Sequence, residues 1–332
     1  MERKVFAFRH RKEIILESSS GGAFTAMADI VINSRHGVVY GACFNDKLQV
    51  VHQRAETLKE CKKFRGSKYV QSFLGNIFSQ VEKDLRDGYN VLFTGTPCQI
   101  MALKKYCGNR NVPMETLVLV DIICHGVMNP CVWEKFKAWI EEKQHSNLRS
   151  VSFRYKKVRW SSYPIRLDFE NGKKHINTFI ARRFNALFFS AVALLDGCYK
   201  CPFANIERIS DITIGDFWGI EKVMPKFPSE KGVSEIIVNS KKGMKLVNDI
   251  LKIDGVIYDE CLTDDYIKYQ HNLNKPTNKP NDRDYFKEDI KTLSFSDVLK
   301  RYADYNILGF IRHCVKKILG EIGVTNWIKR HI

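Results

Sequence analysis

Apolar residues along this chain fall into short runs separated by small or polar turns, and their spacing switches between the strand and helix periods. Residues 13–16 form an apolar run, followed by Ser18-Ser19-Ser20-Gly21-Gly22 and then helical spacing over 23–32, which predicts strand, small-residue turn, helix. Residues 37–44 predict a strand that turns through Asn45-Asp46 into 48–52 as a hairpin. A helix is predicted from about 75 to 86, with Gly88 as its stop. Two strand–turn–helix units follow, 91–94 with 97–106 and 117–123 with 129–142.

From Val151 the texture changes to short runs at 151–155, 164–169 and 175–180, with Asn171-Gly172 as a hairpin turn. A helix over 183–195 leads to Cys198-Tyr199-Lys200-Cys201, and a strand over 211–215 leads to Asp216-Phe217-Trp218-Gly219. Residues 235–239 predict the final strand, beyond which only helical and polar segments are expected. Residues 275–283 read as a linker, and 304–332 as an amphipathic helix with a basic face. Strands alternating with helices favour an α/β fold with α+β elements: a mainly parallel sheet with flanking helices, an antiparallel insertion and a helical C-terminal tail. The expected division is an α/β part over 1–150, a second part over 151–285 continuing the same unit, and a basic helical extension over 286–332.

The 332 residues, 44% hydrophobic and 27% charged, suffice for a substantial core. No stretch approaches the ~18 apolar residues that would span a bilayer, and the first residues lack a signal-peptide core, so a cytoplasmic address is expected. In that reducing compartment ten cysteines are metal ligands, redox centres or core thiols rather than disulfides. The net charge of +16 suits nucleic acid, an anionic membrane surface or acidic small molecules. No nucleic-acid-binding motif is present, so no nucleic-acid partner is expected; a phosphate-bearing cofactor with an anionic partner accounts for the charge about as well.

Four cysteines sit in segments suited to placing sulfur. Cys98 follows Pro97 at a predicted helix start, where the helix dipole favours a thiolate. Cys124 ends a predicted strand, and Cys198 and Cys201 form a C-x-x-C. Ligands of open α/β sheets collect beyond the carboxyl ends of strands, so the four suit one tetrahedral thiolate site, either a cubane iron–sulfur cluster or zinc. Each of Cys98 and Cys124 alone is as well explained by an inert structural thiol. The C-x-x-C follows a predicted helix, which argues against a thioredoxin-like dithiol, and the one-one-two split does not make a zinc ribbon. The other six cysteines read as core or loop residues, with Cys43 the nearest to a strand end. His125 is either a proton donor beside the site or a residue satisfying backbone groups. Asp216 either accepts a hydrogen bond from a cofactor or caps a helix. Lys68 and Tyr69 either touch phosphate and a flavin ring or form a solvated turn.

Taken in order, Ser19-Ser20-Gly21-Gly22, Gly66-Ser67-Lys68-Tyr69-Val70-Gln71-Ser72, Phe93-Thr94-Gly95-Thr96-Pro97-Cys98-Gln99, Asp121-Ile122-Ile123-Cys124-His125-Gly126, the C-x-x-C and the 210–219 segment resemble the coenzyme F-420 hydrogenase/dehydrogenase beta-subunit family. The resemblance implies a [4Fe-4S] cluster on Cys98, Cys124, Cys198 and Cys201, with FAD close by. It implies flavin contacts from Ser19, Ser20, Gly21, Gly22, Ser67, Lys68, Tyr69, Gln71, Thr94, Gly95, Thr96 and Asp216, with His125 as the catalytic candidate. Electrons would pass between cluster and flavin to an anionic organic substrate. Many members begin with a ferredoxin-like cysteine array, whereas this chain has no cysteine before Cys43, so an external donor such as ferredoxin or a reduced cofactor is expected. Relatives of this shortened layout resemble those in bacterial surface-polysaccharide gene sets. A competing reading is a zinc-stapled, non-catalytic module docked on a polysaccharide-assembly complex or on a membrane through the basic tail. A sugar-modifying transferase has only Asp264-Asp265 in its favour.

Overall fold

In the computed structural model, which describes residues 3–156 and 163–303, the strands follow one another as β1 (Lys4–Arg9), β2 (Val38–Phe44), β3 (Val50–Ala55), β4 (Val91–Gly95), β5 (Leu117–Ile122), β6 (Leu148–Ser152), β7 (Arg166–Phe169), β8 (Lys174–Ile176), β9 (Ile212–Asp216), β10 (Ser234–Val238) and β11 (Ile257–Glu260). Among the described residues, eight of them form one sheet in the order β11-β1-β10-β9-β5-β4-β2-β3. Its centre is parallel, β2 beside β4, β4 beside β5 and β5 beside β9. Both margins are antiparallel, so β1 points the same way as the central four while β3, β10 and β11 point back.

The central strands read as unbroken apolar runs because both faces of the sheet are covered. Leu92, Val118 and Val120 pack on one face with Ala26 and Met27 of the helix Ala23–Asp29 and with Leu246 and Val247 of Lys241–Ile250. Their neighbours Val91, Phe93, Leu117 and Leu119 pack on the other with Ile100 and Leu103 of Pro97–Asn109 and with Val81 and Leu85 of Ile77–Arg86. A second core is built on the antiparallel sheet β6-β7-β8 with the helices Pro130–Gln144, Phe179–Phe189, Arg283–Thr292 and Phe295–Tyr302. Its centre is aromatic: Phe153 stacks on Phe184 at 4.4 Å, and Trp133 donates from Nε1 to the carbonyl of Leu48 at 2.7 Å.

Several expectations are corrected. Residues 13–16 lie in the helix Lys12–Glu17, which itself leads into the serine turn, and the strand, β1, precedes that helix. Four consecutive apolar residues satisfy either period, and the tertiary slot between β10 and β11 decides for Val5–Phe8. β10 is not the last strand. β11 follows as an edge strand with Ile257 and Tyr258 exposed, so no alternation of apolar and polar positions announces it. The helix expected over 183–195 spans Phe179–Phe189 instead; Ala191 adopts φ 64°, and a turn at 192–193 leads on to the 3-10 turn Asp196–Lys200. The 275–283 stretch is packed rather than a free linker: Thr277 and Arg283 are both buried. The expected tail helix over 304–332, with Cys314, lies outside the described residues. Among the described residues no helix is long and apolar enough to cross a membrane.

Candidate functional site

The carboxyl ends of β4, β5 and β9 converge on one cavity of about 550 Å³. After β4, Thr94, Gly95 and Thr96 line it before the chain enters the helix Pro97–Asn109. Pro97 takes the first helical position, and the Thr96 N–H is met by Gln99 Oε1 at 3.0 Å. After β5, Ile123 extends the pairing through its N–H to the Ile214 carbonyl at 3.0 Å, and Cys124, His125 and Gly126 then turn along the cavity wall. Asp216, the last residue of β9, lies across from them. The serine turn and the 66–72 segment close the remaining sides and meet where the Ser19 and Ser67 hydroxyls lie 2.9 Å apart.

Of the expected flavin contacts, Ser19, Ser20, Gly22, Ser67, Lys68, Tyr69, Thr94, Gly95, Thr96 and Asp216 line this cavity. Gly21 and Gln71 do not: Gln71 uses its N–H on the Met128 carbonyl at 3.0 Å, and Gly21 sits behind the wall. Gly21 is glycine because the turn presses onto the sheet there. Its N–H donates to Ser234 Oγ at 2.9 Å, and a Cβ would lie 2.1 Å from the Phe8 carbonyl oxygen and 2.5 Å from the Ser234 nitrogen. Both atoms are backbone, so neither can rotate away. Gly21→Ala is therefore expected to destabilise the protein by about 2–3 kcal/mol. A urea midpoint equal to wild type would refute the close approach.

The four candidate cysteines come from three segments that local hydrogen bonds stitch together. Met128 donates to the Tyr69 carbonyl at 2.8 Å, Asn129 to Ala193 and Leu195 to Val127, each at 3.0 Å. That short ladder lays the approach to the C-x-x-C beside the segment leaving Cys124. A Cβ on Gly126, whose φ is +124°, would come within 3.3 Å of Cys198 Cβ. Cys198 lies in the 3-10 turn Asp196–Lys200, which Arg283 and Lys287 hold through Asp196. Burial pushes the Cys124 thiol up to about 12, and the nearby Cys198, Cys98 and Cys201 push the same way, against a Gly126 N–H that favours the thiolate. Burial likewise raises Cys198, with Cys98 and Cys201 adding to the shift. Cys98, Cys198 and Cys201 thus all lie near enough to Cys124 to act on its thiol. Thr96 Oγ1 lies 3.1 Å from Cys98 Sγ. Among the described residues no group of three or more His, Cys, Asp or Glu is set to hold a single metal ion.

The polar walls contain residues that the sequence did not single out. Arg154, buried just after β6, pairs with Asp216 Oδ2, while Asp216 Oδ1 is buried without a hydrogen-bond partner among the described residues. Asp216 is thus paired rather than capping a helix. Gln270 Nε2 reaches the Asp216 carbonyl at 2.7 Å and the side chain of the fully buried Glu235. On the opposite wall Gln99 Nε2 donates to Ser72 Oγ at 2.8 Å; Ser72 Oγ lies 2.8 Å from His52 Nδ1, and His52 Nε2 lies 3.0 Å from the Thr94 carbonyl. Burial lowers His52 to about 4, so its ring is neutral. A neutral ring donating from Nε2 to the carbonyl and accepting at Nδ1 from the serine satisfies the whole chain. His125 accepts Thr277 Oγ1 on its carbonyl at 2.5 Å, and its buried Nε2 has no hydrogen-bond partner among the described residues. Burial lowers its pKa, as does the charge of His271. Arg154 and His52 are isolated polar positions in or beside strands, where no local pattern distinguishes them.

No curated protein matches the chain. One chain of the xenon-derivatised F420-reducing [NiFe] hydrogenase complex from Methanosarcina barkeri is similar in fold, with a TM-score of 0.54 and 17% identity, over 86% of this chain and 91% of its own. The family model for the C terminus of the coenzyme F420 hydrogenase/dehydrogenase beta subunit matches residues 88–260, a span that runs from the entry to β4 through the cysteine segments to the end of β11. That match covers more than half of the sequence, and the chain belongs to this family.

Proposed function

We propose that this protein is a flavin- and iron–sulfur-dependent oxidoreductase, with FAD in the large cavity and a [4Fe-4S] cluster on Cys98, Cys124, Cys198 and Cys201. What supports this reading is the short ladder that lays the approach to the C-x-x-C beside the segment leaving Cys124, with Cys98, Cys198 and Cys201 near enough to act on the Cys124 thiol and Cys124 itself in the cavity wall. A single zinc ion draws its sulfurs to roughly 4 Å of one another. A cubane holds each thiolate on a different iron and so accepts a wider set. Backbone N–H groups beside Cys124 and Cys198 oppose the burial that raises both thiols, as a bound metal centre would.

The cavity suits a flavin for a separate reason. Among the described residues Asp216 Oδ1 and His125 Nε2 are buried polar atoms without hydrogen-bond partners, and both residues line it. A bound heterocycle with N–H and C=O groups supplies what they lack, and Trp218, Tyr163 and Phe189 add aromatic surface. The bound groups would supply one-electron and hydride chemistry. The chain's own residues orient and desolvate. Arg154 fixes the Asp216 carboxylate, the Gln99–Ser72–His52 series fixes the 94–96 turn, and Thr277 fixes the peptide beside His125, whose Nε2 is available to hold or pass a proton at the cavity wall. An external electron donor and an anionic organic substrate complete the proposal.

Anaerobically isolated protein is expected to be brown, to carry about four irons per chain and to release a flavin on denaturation. Cys98→Ser is expected to lower the iron while leaving the far-UV circular dichroism unchanged. Zinc with no flavin would favour the docking-module reading instead.

A further inference from the structure

Tyr69 lines the large cavity, and its ring begins a file of aromatic side chains that crosses the second core. It lies nearly parallel to Phe153 with centroids 5.6 Å apart, and Phe153 meets Trp133 edge to face at 5.3 Å. Trp133 stacks on Phe136 at 6.1 Å, and Phe136 meets Trp139 at 5.8 Å. Aromatic pairs at this spacing are ordinary core packing, each contributing about 0.5–1.5 kcal/mol beyond the area it buries. Packing alone does not call for the order of the rings. The three that give up an electron most readily, Tyr69, Trp133 and Trp139, alternate with single phenylalanines, so each step between them crosses one ring. Their polar atoms differ as well. Tyr69 shares a hydrogen bond with Ser67, whose hydroxyl lies 2.9 Å from that of Ser19, and both serines line the cavity. Trp133 is 1% exposed and donates to the Leu48 carbonyl. Trp139 is 8% exposed and donates from Nε1 at 2.9 Å to the hydroxyl of Ser296, a half-buried residue.

We propose that Tyr69, Trp133 and Trp139, bridged by Phe153 and Phe136, form a relay that carries single electrons from the surface to the large cavity and discharges oxidising radicals that arise there. In the first step a peroxide-derived radical in the cavity takes one electron from Tyr69, and the phenolic proton leaves by way of Ser67 and Ser19. Burial raises the Tyr69 phenol above its ordinary pKa, so the neutral, protonated ring starts the step. Trp133 then gives one electron to Tyr69, which recovers a proton from the cavity. The Leu48 carbonyl does not take up the indole proton, so Trp133 becomes a cation and does not keep the vacancy; an electron from Trp139 refills it. At Trp139 the indole proton leaves through the Ser296 hydroxyl, and the Arg183 guanidinium, 5.9 Å from that ring, favours its loss by disfavouring the cation. A thiolate in solution returns the electron to Trp139, which takes a proton from water, and two thiyl radicals so formed combine as a disulfide. The vacancy therefore rests only at the two ends of the file, where a proton can depart. The relay rests on the proposed flavin and cluster only for the source of the radical, since reduced flavin makes peroxide from oxygen and iron splits it.

Pulse radiolysis of the full chain, as isolated and after any flavin has been stripped, tests the relay. Azide radicals oxidise tryptophan in preference to tyrosine and so start it from its surface end. With Trp160→Phe, Trp218→Phe and Trp327→Phe as background, only the relay's own two indoles remain of the chain's five. The indolyl band is then expected to decay as the tyrosyl band grows, at a first-order rate that does not change with protein concentration. Tyr69→Phe and Trp133→Phe should each abolish that phase, and Trp139→Phe should remove most of the indolyl signal that feeds it. Tyr285→Phe, off the file and 65% exposed, should leave it unchanged. Each change keeps an aromatic ring in place, and urea midpoints check that the variants fold. Should Trp133→Phe fail to fold, Tyr69→Phe and Trp139→Phe decide; should the background fail to fold, the same substitutions in the wild-type chain should each remove one first-order phase. Indolyl radicals that decay only bimolecularly, or a first-order phase that survives Tyr69→Phe or Trp133→Phe, would overturn the relay. A protein that releases no flavin on denaturation defeats the proposed function and leaves this measurement fully interpretable.

Discussion

Arg208→Met is expected to destabilise the protein by about 3–5 kcal/mol, because it leaves a buried carboxylate without its counter-charge. Asp121, on β5, is wholly buried, and Arg208 Nη2 lies 2.8 Å from its Oδ2 with the arginine side chain 2% exposed. The guanidinium also donates to the carbonyls of Phe203 at 2.7 Å and Ile122 at 3.2 Å, and to Thr213 Oγ1 at 3.2 Å. It therefore ties the loop after Cys201 to the strand end that carries Cys124. Burial holds the Asp121 carboxyl above the ordinary range even with this partner in place. Without it the group takes up a proton on folding, and stability is expected to fall as pH rises above about 4. Pairing the change with Asp121→Leu should restore most of the loss, since apolar residues of similar volume replace a buried ion pair at little net cost. Urea unfolding of the three proteins measures this; a single variant with the wild-type midpoint contradicts the assignment. Arg208→Met should also carry less iron per chain than the double variant.

The elements most legible in the sequence are those whose signal is local. The central strands show as apolar runs because two covered faces leave them no polar positions, and the Thr96-Pro97 entry to the following helix carries its capping chemistry within four residues. The cysteine segments announced themselves by turn chemistry and spacing. The route that lays the C-x-x-C beside Cys124 is not legible there, since it depends on pairing between 127–129 and 193–195, a stretch with no strand pattern of its own. Edge and inserted strands were the failures. β1 and β11 derive their conformation from partners more than 200 residues away, Val5 facing Ile237 and Tyr258 facing Phe8. The same holds for the site's cations. Arg154 and Lys156 stand in a segment whose alternation speaks of a strand, and their meaning appears only when Asp216 and the serine turn arrive beside them.

Glu235→Gln is expected to remove a pH dependence of stability that the wild-type protein carries above the ordinary carboxylate range. Glu235 is fully buried on β10, and burial holds its pKa well above the usual value, with Asp216 pushing the same way and the amide of Gln270 opposing. The other titratable groups around it, Tyr266 and Cys261, bring no positive charge. The folded chain therefore keeps the proton on Glu235, whereas the unfolded chain releases it near about pH 4.3. The stabilisation is complete below that pH and is lost as pH rises toward the folded-state value, with a limiting slope of about 1.4 kcal/mol per pH unit. Glutamine keeps the neutral shape and the acceptor for Gln270, so the variant should match wild type near pH 5 and exceed it at pH 8. Because Gln270 also holds the Asp216 carbonyl in the cavity wall, the wild-type site should loosen over the same pH range, with faster loss of any bound flavin that the variant does not show. Parallel stability–pH curves for the two proteins would mean that Glu235 is ionised in the folded chain and that a cation reaches it.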